Sequence, residues 1–327
     1  MKYSFLLFIT LFISCTVQNK ISESASTPTT TPKPTPENTP KISKMEFTNR
    51  IDSTRLMKDL KYLSSDELGG RETESEGNKI AQNYILRRFA KYGLKEFNQM
   101  RTQDFTFSVG GKNWKGKNLL GQISGTKSPE KFIILTAHYD HVGTKKGEIY
   151  NGADDNASGI CALLAAAEWF AKNPPNNTIA FIAFDGEEMG LQGAKYFVKN
   201  LPIKKEDIIL NLNLDMISRN EQNDINICGT AHYPHLKKEL EHLPKVTSLN
   251  VKYEHDRAIF GMGDWTNASD HGAFHQMKIP FLYLGVEDHV DYHKPTDDFE
   301  NIDPSFYFRA SNLVMEILMA FDKVGLE

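Results

Sequence analysis

Side chains that can bind a metal ion or move a proton follow three short apolar runs of this 327-residue chain. The first run leads into His138-Tyr139-Asp140, the second into Asp185-Gly186-Glu187-Glu188 and the third into Asn213-Leu214-Asp215. Asp154-Asp155 follows the first run, and His293 precedes a proline turn late in the chain. Any one of these motifs alone is usually a surface hydrogen bond or a helix cap. Their occurrence at the end of every run predicts metal-assisted chemistry instead.

The combined set supplies two histidines and three carboxylates, with no thiolate. Mixed nitrogen and oxygen ligands suit zinc, with manganese or cobalt as substitutes, and they are typical of catalytic sites with open coordination positions. Five ligands are too many for one such zinc. Two metal ions that share a bridging carboxylate would use all five, and ion pairs about 3.5 to 4 Å apart occur in hydrolytic enzymes. The sequence therefore predicts a two-metal hydrolytic site.

The elements that must position these side chains alternate between strands and helices. Continuous apolar runs predict strands buried on both faces at Phe132–Thr136, Ile179–Phe184, Ile208–Leu214 and Pro280–Leu284. Helical spacing of apolar residues predicts helices at Leu56–Leu63, Lys79–Tyr92, Ala157–Ala171 and Gly193–Asn200. Asp155 or Asn156 would cap the third helix. The predicted fold is a three-layer α/β sandwich, a mostly parallel mixed sheet with helices on both faces, whose sites lie beyond the carboxyl ends of the strands.

The first 44 residues predict an export signal and a tether. Lys2 precedes the apolar stretch Phe5–Ile13, and Cys15 follows it closely, as in the lipobox of bacterial lipoproteins. We expect a signal peptide over residues 1–15, with Cys15 as the lipidated residue. Residues 16–44 are rich in Thr and Pro and predict a disordered, extended tether. Residues 45–327 would then form a single domain in the cell envelope, held by the lipid at the outer membrane.

The composition narrows the classes of function. The chain carries 38 basic and 42 acidic side chains, so nucleic-acid binding through bulk charge is not expected. The apolar run Tyr3–Ser14 is too short to span a bilayer, so membrane contact is expected only through the lipid. Three cysteines are too few and too far apart for a disulfide scaffold. A soluble enzyme domain remains.

In combination, the motifs resemble the M28 family of zinc aminopeptidases. The resemblance covers roughly Arg55 to Val324 and includes a segment before the metal motifs, Tyr62–Leu68 with Gly70-Arg71. Its other carriers are Ala137–Asp140, Gly152–Gly159, Asp185–Gly193, Leu214–Met216, Ser269-Asp270-His271 and Tyr292-His293. The resemblance implies the α/β zinc-exopeptidase fold and peptide substrates.

Position by position, the resemblance implies a role for each metal-capable residue. His138 and Asp215 would hold one zinc ion and Glu188 and His293 the other, with Asp155 bridging the two. We assign no role to seven other histidines, which are His141, His232, His235, His242, His255, His275 and His289.

The resemblance also implies the roles of residues around the metals. Glu187 would be the general base that takes a proton from a metal-bridged water and hands it to the leaving amine. Asp140 would accept a hydrogen bond from His138 and fix its tautomer. Asp270 and His271 would support the site from nearby. Met216 and Tyr292, next to metal ligands in sequence, are expected to line the pocket for the substrate's first side chain.

The expected activity is removal of N-terminal residues from peptides, and three alternatives stay open. A carboxypeptidase or dipeptidase would keep the same ligands. A glutaminyl cyclase-like transferase would keep the frame with a single working zinc. A binding lipoprotein without catalysis is disfavoured because every ligand and the base are present. A serine hydrolase is disfavoured because neither Ser158 nor Ser269 lies in a Gly-x-Ser-x-Gly elbow.

Overall fold

A computed structural model describes residues 49–245, 248–257 and 263–325. The predicted signal peptide, Cys15 and the tether lie outside these residues. The described strands are β1 (Thr102–Val109), β2 (Lys112–Ile123), β3 (Ser128–His138), β4 (Gly143–Lys145), β5 (Glu148–Tyr150), β6 (Asn177–Phe184), β7 (Ile208–Leu214), β8 (Asp224–Cys228), β9 (Asn250–Lys252) and β10 (Phe281–Gly285). The described helices are α1 (Ser53–Leu63), α2 (Glu76–Lys91), α3 (Gly159–Lys172), α4 (Gln192–Lys199), α5 (Lys237–Leu240), α6 (His271–Gln276) and α7 (Pro304–Phe321).

Eight of the described strands form one mixed sheet in the order β1-β2-β6-β3-β7-β10-β8-β9. The four central strands, β6, β3, β7 and β10, are parallel to one another. β1 pairs antiparallel with β2, β2 with β6 and β8 with β10, whereas β9 pairs in parallel with β8. β4 and β5 form a separate hairpin. The runs predicted from apolar residues are the four parallel strands, where helices cover both faces of the sheet.

Alternate residues of the central strands pack into hydrophobic clusters on opposite faces of the sheet. The sheet is therefore the middle layer between two layers of helices. Ile133, Leu135 and Ala137 of β3 face the cluster that contains α1, α2, α3 and α7, whereas Ile134 faces the cluster with α4 and α6. β6 divides in the same way, since Phe181 joins the first cluster and Ile182 the second. The predicted sandwich is therefore confirmed. No helix in the described part of the chain has the length and apolarity needed to cross a membrane.

The segment before α3 differs from the prediction. The helix was expected from Ala157 with Asp155 or Asn156 as its cap, but a π-helical turn occupies Ala153–Ser158 and α3 begins at Gly159. The Asn156 side chain accepts a hydrogen bond from the Gly159 N–H at 2.9 Å, whereas no capping bond is made by Asp155. The irregular turn frees the Asp155 carboxylate to face the histidines described below.

A buried arginine joins the loops around the sheet edge. Arg71 is 1% exposed, and its guanidinium donates hydrogen bonds to four main-chain carbonyl oxygens. These belong to Leu63 (2.6 Å) at the end of α1, Tyr139 (2.9 Å) after β3, and Asn151 (2.6 Å) and Gly152 (3.0 Å) before the π-helical turn. The N-terminal helices are thereby fastened to the two loops that carry His138 and Asp155.

Replacing Arg71 by methionine should lower the free energy of unfolding by about 3–5 kcal/mol, because four buried carbonyl groups lose their donor. Urea unfolding followed by circular dichroism would measure the change. Arg87→Met is the matched control, since Arg87 lies exposed on α2 and should change stability by no more than about 0.5 kcal/mol. Equal effects of the two substitutions would contradict the role of Arg71.

Candidate active site

The carboxyl ends of three adjacent parallel strands bring the predicted residues together. His138 is the last residue of β3, and Asp215 directly follows β7. Glu188 lies in the turn after β6, the other neighbour of β3. His293 comes from the loop after β10, in the left-handed conformation with φ 52°. A non-glycine residue is held in that conformation only by its surroundings, which is common at functional sites.

The Asp155 carboxylate lies between two histidines. Its Oδ1 is 3.4 Å from Nε2 of His138, and its Oδ2 is 3.1 Å from Nε2 of His293. His138 Nε2 is also 3.3 Å from Oδ1 of Asp215, while His293 Nε2 is 3.2 Å from Oε2 of Glu188. Two groups, each with one histidine and one further carboxylate, therefore share Asp155.

These separations fit metal coordination. Two ligand atoms about 2.0–2.1 Å from one tetrahedral zinc ion are roughly 3.3–3.4 Å apart. The four distances around His138 and His293 lie close to this value. The residues present thus fit two metal ions with mixed nitrogen and oxygen ligands, one on each side of Asp155.

His141 is a sixth residue of this cluster, and the sequence motifs gave it no role. Its Nδ1 is 2.6 Å from Oε1 of Glu188 and 3.7 Å from Oδ2 of Asp155. By proximity alone, His141, Asp155 and Glu188 could hold one ion, and His138, Glu187 and Asp215 another, with each set's ligand atoms within 4.8 Å. The 2.6 Å contact is a hydrogen bond, too short for two ligands of one ion. In the sequence, the one indication of a role for His141 is its position directly after His138-Tyr139-Asp140.

Asp140 orients neighbouring groups through both its main chain and its side chain. The ring Nδ1 of His138 lies 3.1 Å from the Asp140 carbonyl oxygen and 3.8 Å from its carboxylate. The expected hydrogen bond thus reaches Asp140 through its main-chain oxygen. The Asp140 carboxylate accepts hydrogen bonds from the N–H groups of Glu187 (3.1 Å) and Glu188 (3.3 Å). It therefore fixes the turn that carries both glutamates.

Burial and charge separate the two adjacent glutamates. Desolvation raises the pKa of Glu187 well above its usual value, and the nearby carboxylates of Asp215 and Asp270 add to this rise. Burial alone would also raise the pKa of Glu188, but hydrogen bonds from His141 and His293 hold it below its usual value. Glu187 is thus suited to carry a proton, whereas Glu188 stays ionised as a ligand must.

The histidines are the cations of the metal-free cluster. Burial alone would lower the pKa of His293, but hydrogen bonds with Asp155 and Glu188 raise it to about 10. Burial alone would lower the pKa of His138 too, but the carboxylates of Asp215, Glu187 and Asp155 together raise it well above its usual value. Metal binding must therefore displace protons from both rings.

Asp270 and His271 lie fully buried at the start of α6. Neither carboxylate oxygen of Asp270 has a hydrogen-bond partner among the described residues. Burial, with a smaller contribution from Asp215, raises the pKa of Asp270 to about 7. The His271 ring bonds to the Trp265 carbonyl oxygen at 2.7 Å, and burial lowers its pKa to about 4. His271 thus supports the loop before α6, while Asp270 adds an unpaired carboxyl group near His138.

A cavity of about 440 Å³ opens onto the cluster. Met216 and Tyr292 both line it, as expected, and Met216 has φ 56°. Its lining includes the carboxylates of Asp155, Glu187, Glu188, Asp215 and Asp288 and the apolar side chains of Leu191, Trp265, Tyr283 and Val286. The cavity can therefore hold a small ligand that joins a cationic group to an apolar one.

Asp270→Asn should stabilise the metal-free protein in a pH-dependent manner. The folded state raises the pKa of Asp270 from 3.8 to about 7, so its ionisation costs stability as the pH rises from about 4 to 7. The variant should gain on the order of a few kcal/mol at pH 8 and almost nothing near pH 4. Melting temperatures of chelator-treated protein across this range would measure the gain. Asp288→Asn, at an exposed carboxylate of the same cavity, is the control, and a pH-independent gain would contradict the prediction.

The sequence and the fold both have known counterparts. The model of peptidase family M28 matches residues 118–318. The chain is 28% identical over 218 residues to aminopeptidase YwaD of Bacillus subtilis, which covers 62% of this chain and 44% of that relative. The chain spans less than half the length of the curated relatives it matches.

Solved structures with this fold carry more than one activity. The aminopeptidase from Aneurinibacillus sp. strain AM-1 superposes with a TM-score of 0.68 at 16% identity, covering 83% of this chain and 94% of that one. The glutaminyl cyclase of Fimbriiglobus ruber gives the same TM-score at 19% identity, covering 86% and 99%. At these identities the likeness establishes the fold and leaves the reaction open. The family match spans more than half of the chain and confirms the resemblance of its motifs: the protein belongs to peptidase family M28.

Proposed function

We propose that the protein is a zinc-dependent aminopeptidase that hydrolyses the N-terminal peptide bond of its substrates. The observation that carries the proposal is the position of Asp155, whose two oxygens each face a different histidine at 3.4 and 3.1 Å. His138, Asp215 and Asp155 would hold one zinc ion, and His293, Glu188 and Asp155 the other. Bound zinc supplies Lewis-acid activation of water and of the scissile carbonyl group.

Glu187 is the residue proposed to move the proton. It lies beside the proposed ligand Glu188 and lines the cavity, and burial raises its pKa well above that of an exposed glutamate. It would accept a proton from the attacking water and then donate that proton to the amine that leaves. Asp140 holds the turn so that one glutamate faces the metals and the other faces the substrate.

The charge of the cavity favours recognition of a substrate's N-terminus. Among the described lining residues, Glu187 and Asp288 are carboxylates outside the proposed ligand set, and they can attract an ammonium group. A carboxypeptidase needs a cation for the terminal carboxylate of its substrate, and Lys195 is the one lysine or arginine of this described lining. The shared Asp155 favours a pair of metals over the single working zinc of a glutaminyl cyclase-like enzyme.

A single peptide library tests the proposal. Purified residues 45–327 with added zinc should release single N-terminal residues from free peptides and leave N-acetylated peptides intact, as read by mass spectrometry. Glu187→Gln should keep the zinc content and lower kcat by about 10²- to 10⁴-fold, because it removes the proton carrier alone.

Met216→Gly, which suits the left-handed backbone, should change the preferred N-terminal residue of the peptides that are cleaved, because Met216 lines the cavity.

Other products in the same library would assign the other reactions. Release of C-terminal residues, lost in Lys195→Met, would replace the proposal with a carboxypeptidase. Loss of ammonia from peptides that begin with glutamine would indicate a cyclase. An active Glu187→Gln variant would remove Glu187 from its proposed role.

We further propose that the enzyme works at the cell envelope on a lipid anchor at Cys15. The support is the leader sequence, with the Thr- and Pro-rich segment behind it as a spacer. Expressed in a Gram-negative host, the full chain should fractionate with the outer membrane and incorporate radiolabelled palmitate, and Cys15→Ser should abolish the labelling. Unlabelled wild-type protein would mean that the signal peptide is simply removed.

A further inference from the structure

His141 is buried beside the candidate centre and contacts one of its carboxylates. It is 1% exposed, and its ring Nδ1 lies 2.6 Å from Oε1 of Glu188. His293 approaches the other oxygen of the same carboxylate, Oε2, at 3.2 Å. Glu188 is therefore held from both sides by imidazole rings, whose centroids lie 5.8 Å apart.

The ring of His141 is fixed by groups other than Glu188. A Cβ atom on Gly152 would lie 2.5 Å from Cδ2 and 2.6 Å from Cγ of His141, so the ring packs directly on the glycine backbone. Gly152 has φ 56°, which a glycine adopts without strain. The main-chain N–H of His141 also approaches the carbonyl oxygen of Arg71, at 3.4 Å, and so restrains the backbone that carries the ring. The ring thus has a set position before any ligand binds.

Two carboxylates lie close to the ring of His141, and their positions indicate its role. Nδ1 lies between Glu188, at 2.6 Å, and Asp155, at 3.7 Å. An N–H donor there satisfies Oε1 and reduces the repulsion between the two carboxylates. It also leaves Oε2 as the oxygen that faces His293.

We infer that His141 is a positioning residue: it donates Nδ1–H to Oε1 of Glu188, selects Oε2 as the metal-binding oxygen, and is not itself a ligand. The inference rests on the proposed metal centre. The 2.6 Å separation distinguishes His141 from the ligands, because two ligands of one zinc ion would be roughly 3.3 Å apart. Partners that orient a ligand in this way commonly change metal affinity by about 10- to 100-fold.

Three substitutions separate the donor from the rest of the ring. Asn places its side-chain N–H near the position of Nδ1, Gln places its N–H farther out, and Leu fills the space with no donor. We expect His141→Leu and His141→Gln to lower the affinity for one of the two zinc ions by about 10- to 100-fold, and His141→Asn to stay within about threefold of the wild type. Competition with a chromophoric chelator, without substrate, would measure both affinities on folded protein. His232→Leu is the control, since its described hydrogen bond goes to Thr266.

Cobalt substitution distinguishes a positioning residue from a ligand. His141→Asn should keep the wild-type visible spectrum of the dicobalt protein, whereas removal of a nitrogen ligand would change it. Equal zinc affinity in the Asn and Gln variants, or a changed cobalt spectrum in His141→Asn, would overturn the inference. If Leu prevents folding, the Asn and Gln variants still decide. A wild-type chain that binds fewer than two zinc ions would instead overturn the proposed centre.

Discussion

A cluster of buried carboxylates requires cations, and much of this structure serves that requirement. Asp155 and Asp215 both face His138, and Asp155 and Glu188 both face His293. Burial raises the pKa of Asp155 above its usual value. In the metal-free protein the compensating charge comes from His138 and His293, which share their protons with these carboxylates. Metal ions would replace those protons at the same positions. Divalent cations would relieve the repulsion among these carboxylates, and this relief is the source of the metal affinity that we propose.

The cluster is held by groups that lie far from it in sequence. The carboxylate of Asp297 accepts hydrogen bonds from the N–H groups of Asp154 (2.9 Å) and Asp155 (3.0 Å), so the loop that supplies His293 also fixes the residue proposed to bridge the metals. Thr73 and Asn78, near the start of α2, donate to Asp185 at the end of β6. Each loop at the sheet edge is thus oriented by another loop, and no side chain of the centre depends on a single element.

The sequence predicted the parts of this structure that depend on local pattern. The four buried parallel strands and their helices follow from apolar runs and helical spacing, and the site residues follow from their places at strand ends. β1, β2, β8 and β9 were not predicted individually: β1 and β9 lie at the two edges of the sheet, the first residues of β2 are largely exposed, and Asn226 interrupts the apolar run of β8. His141 was missed because its role depends on the contact with Glu188, 47 residues away, and the π-helical turn at Ala153–Ser158 was missed because tertiary bonds to Asp297 override the capping pattern.

The four hydrogen bonds that Arg71 donates to carbonyl oxygens also determine how much of the chain is needed for a complete site. The segment that matches the family contains every proposed metal ligand, yet it begins at residue 118, after Arg71 and both N-terminal helices. A gene fragment that encodes only the matched segment would carry the catalytic side chains without the group that aligns their loops. Recombination or truncation can therefore preserve the recognisable motifs and still yield a chain that does not assemble its active site. The part of the chain that is needed to assemble the site therefore starts upstream of residue 118.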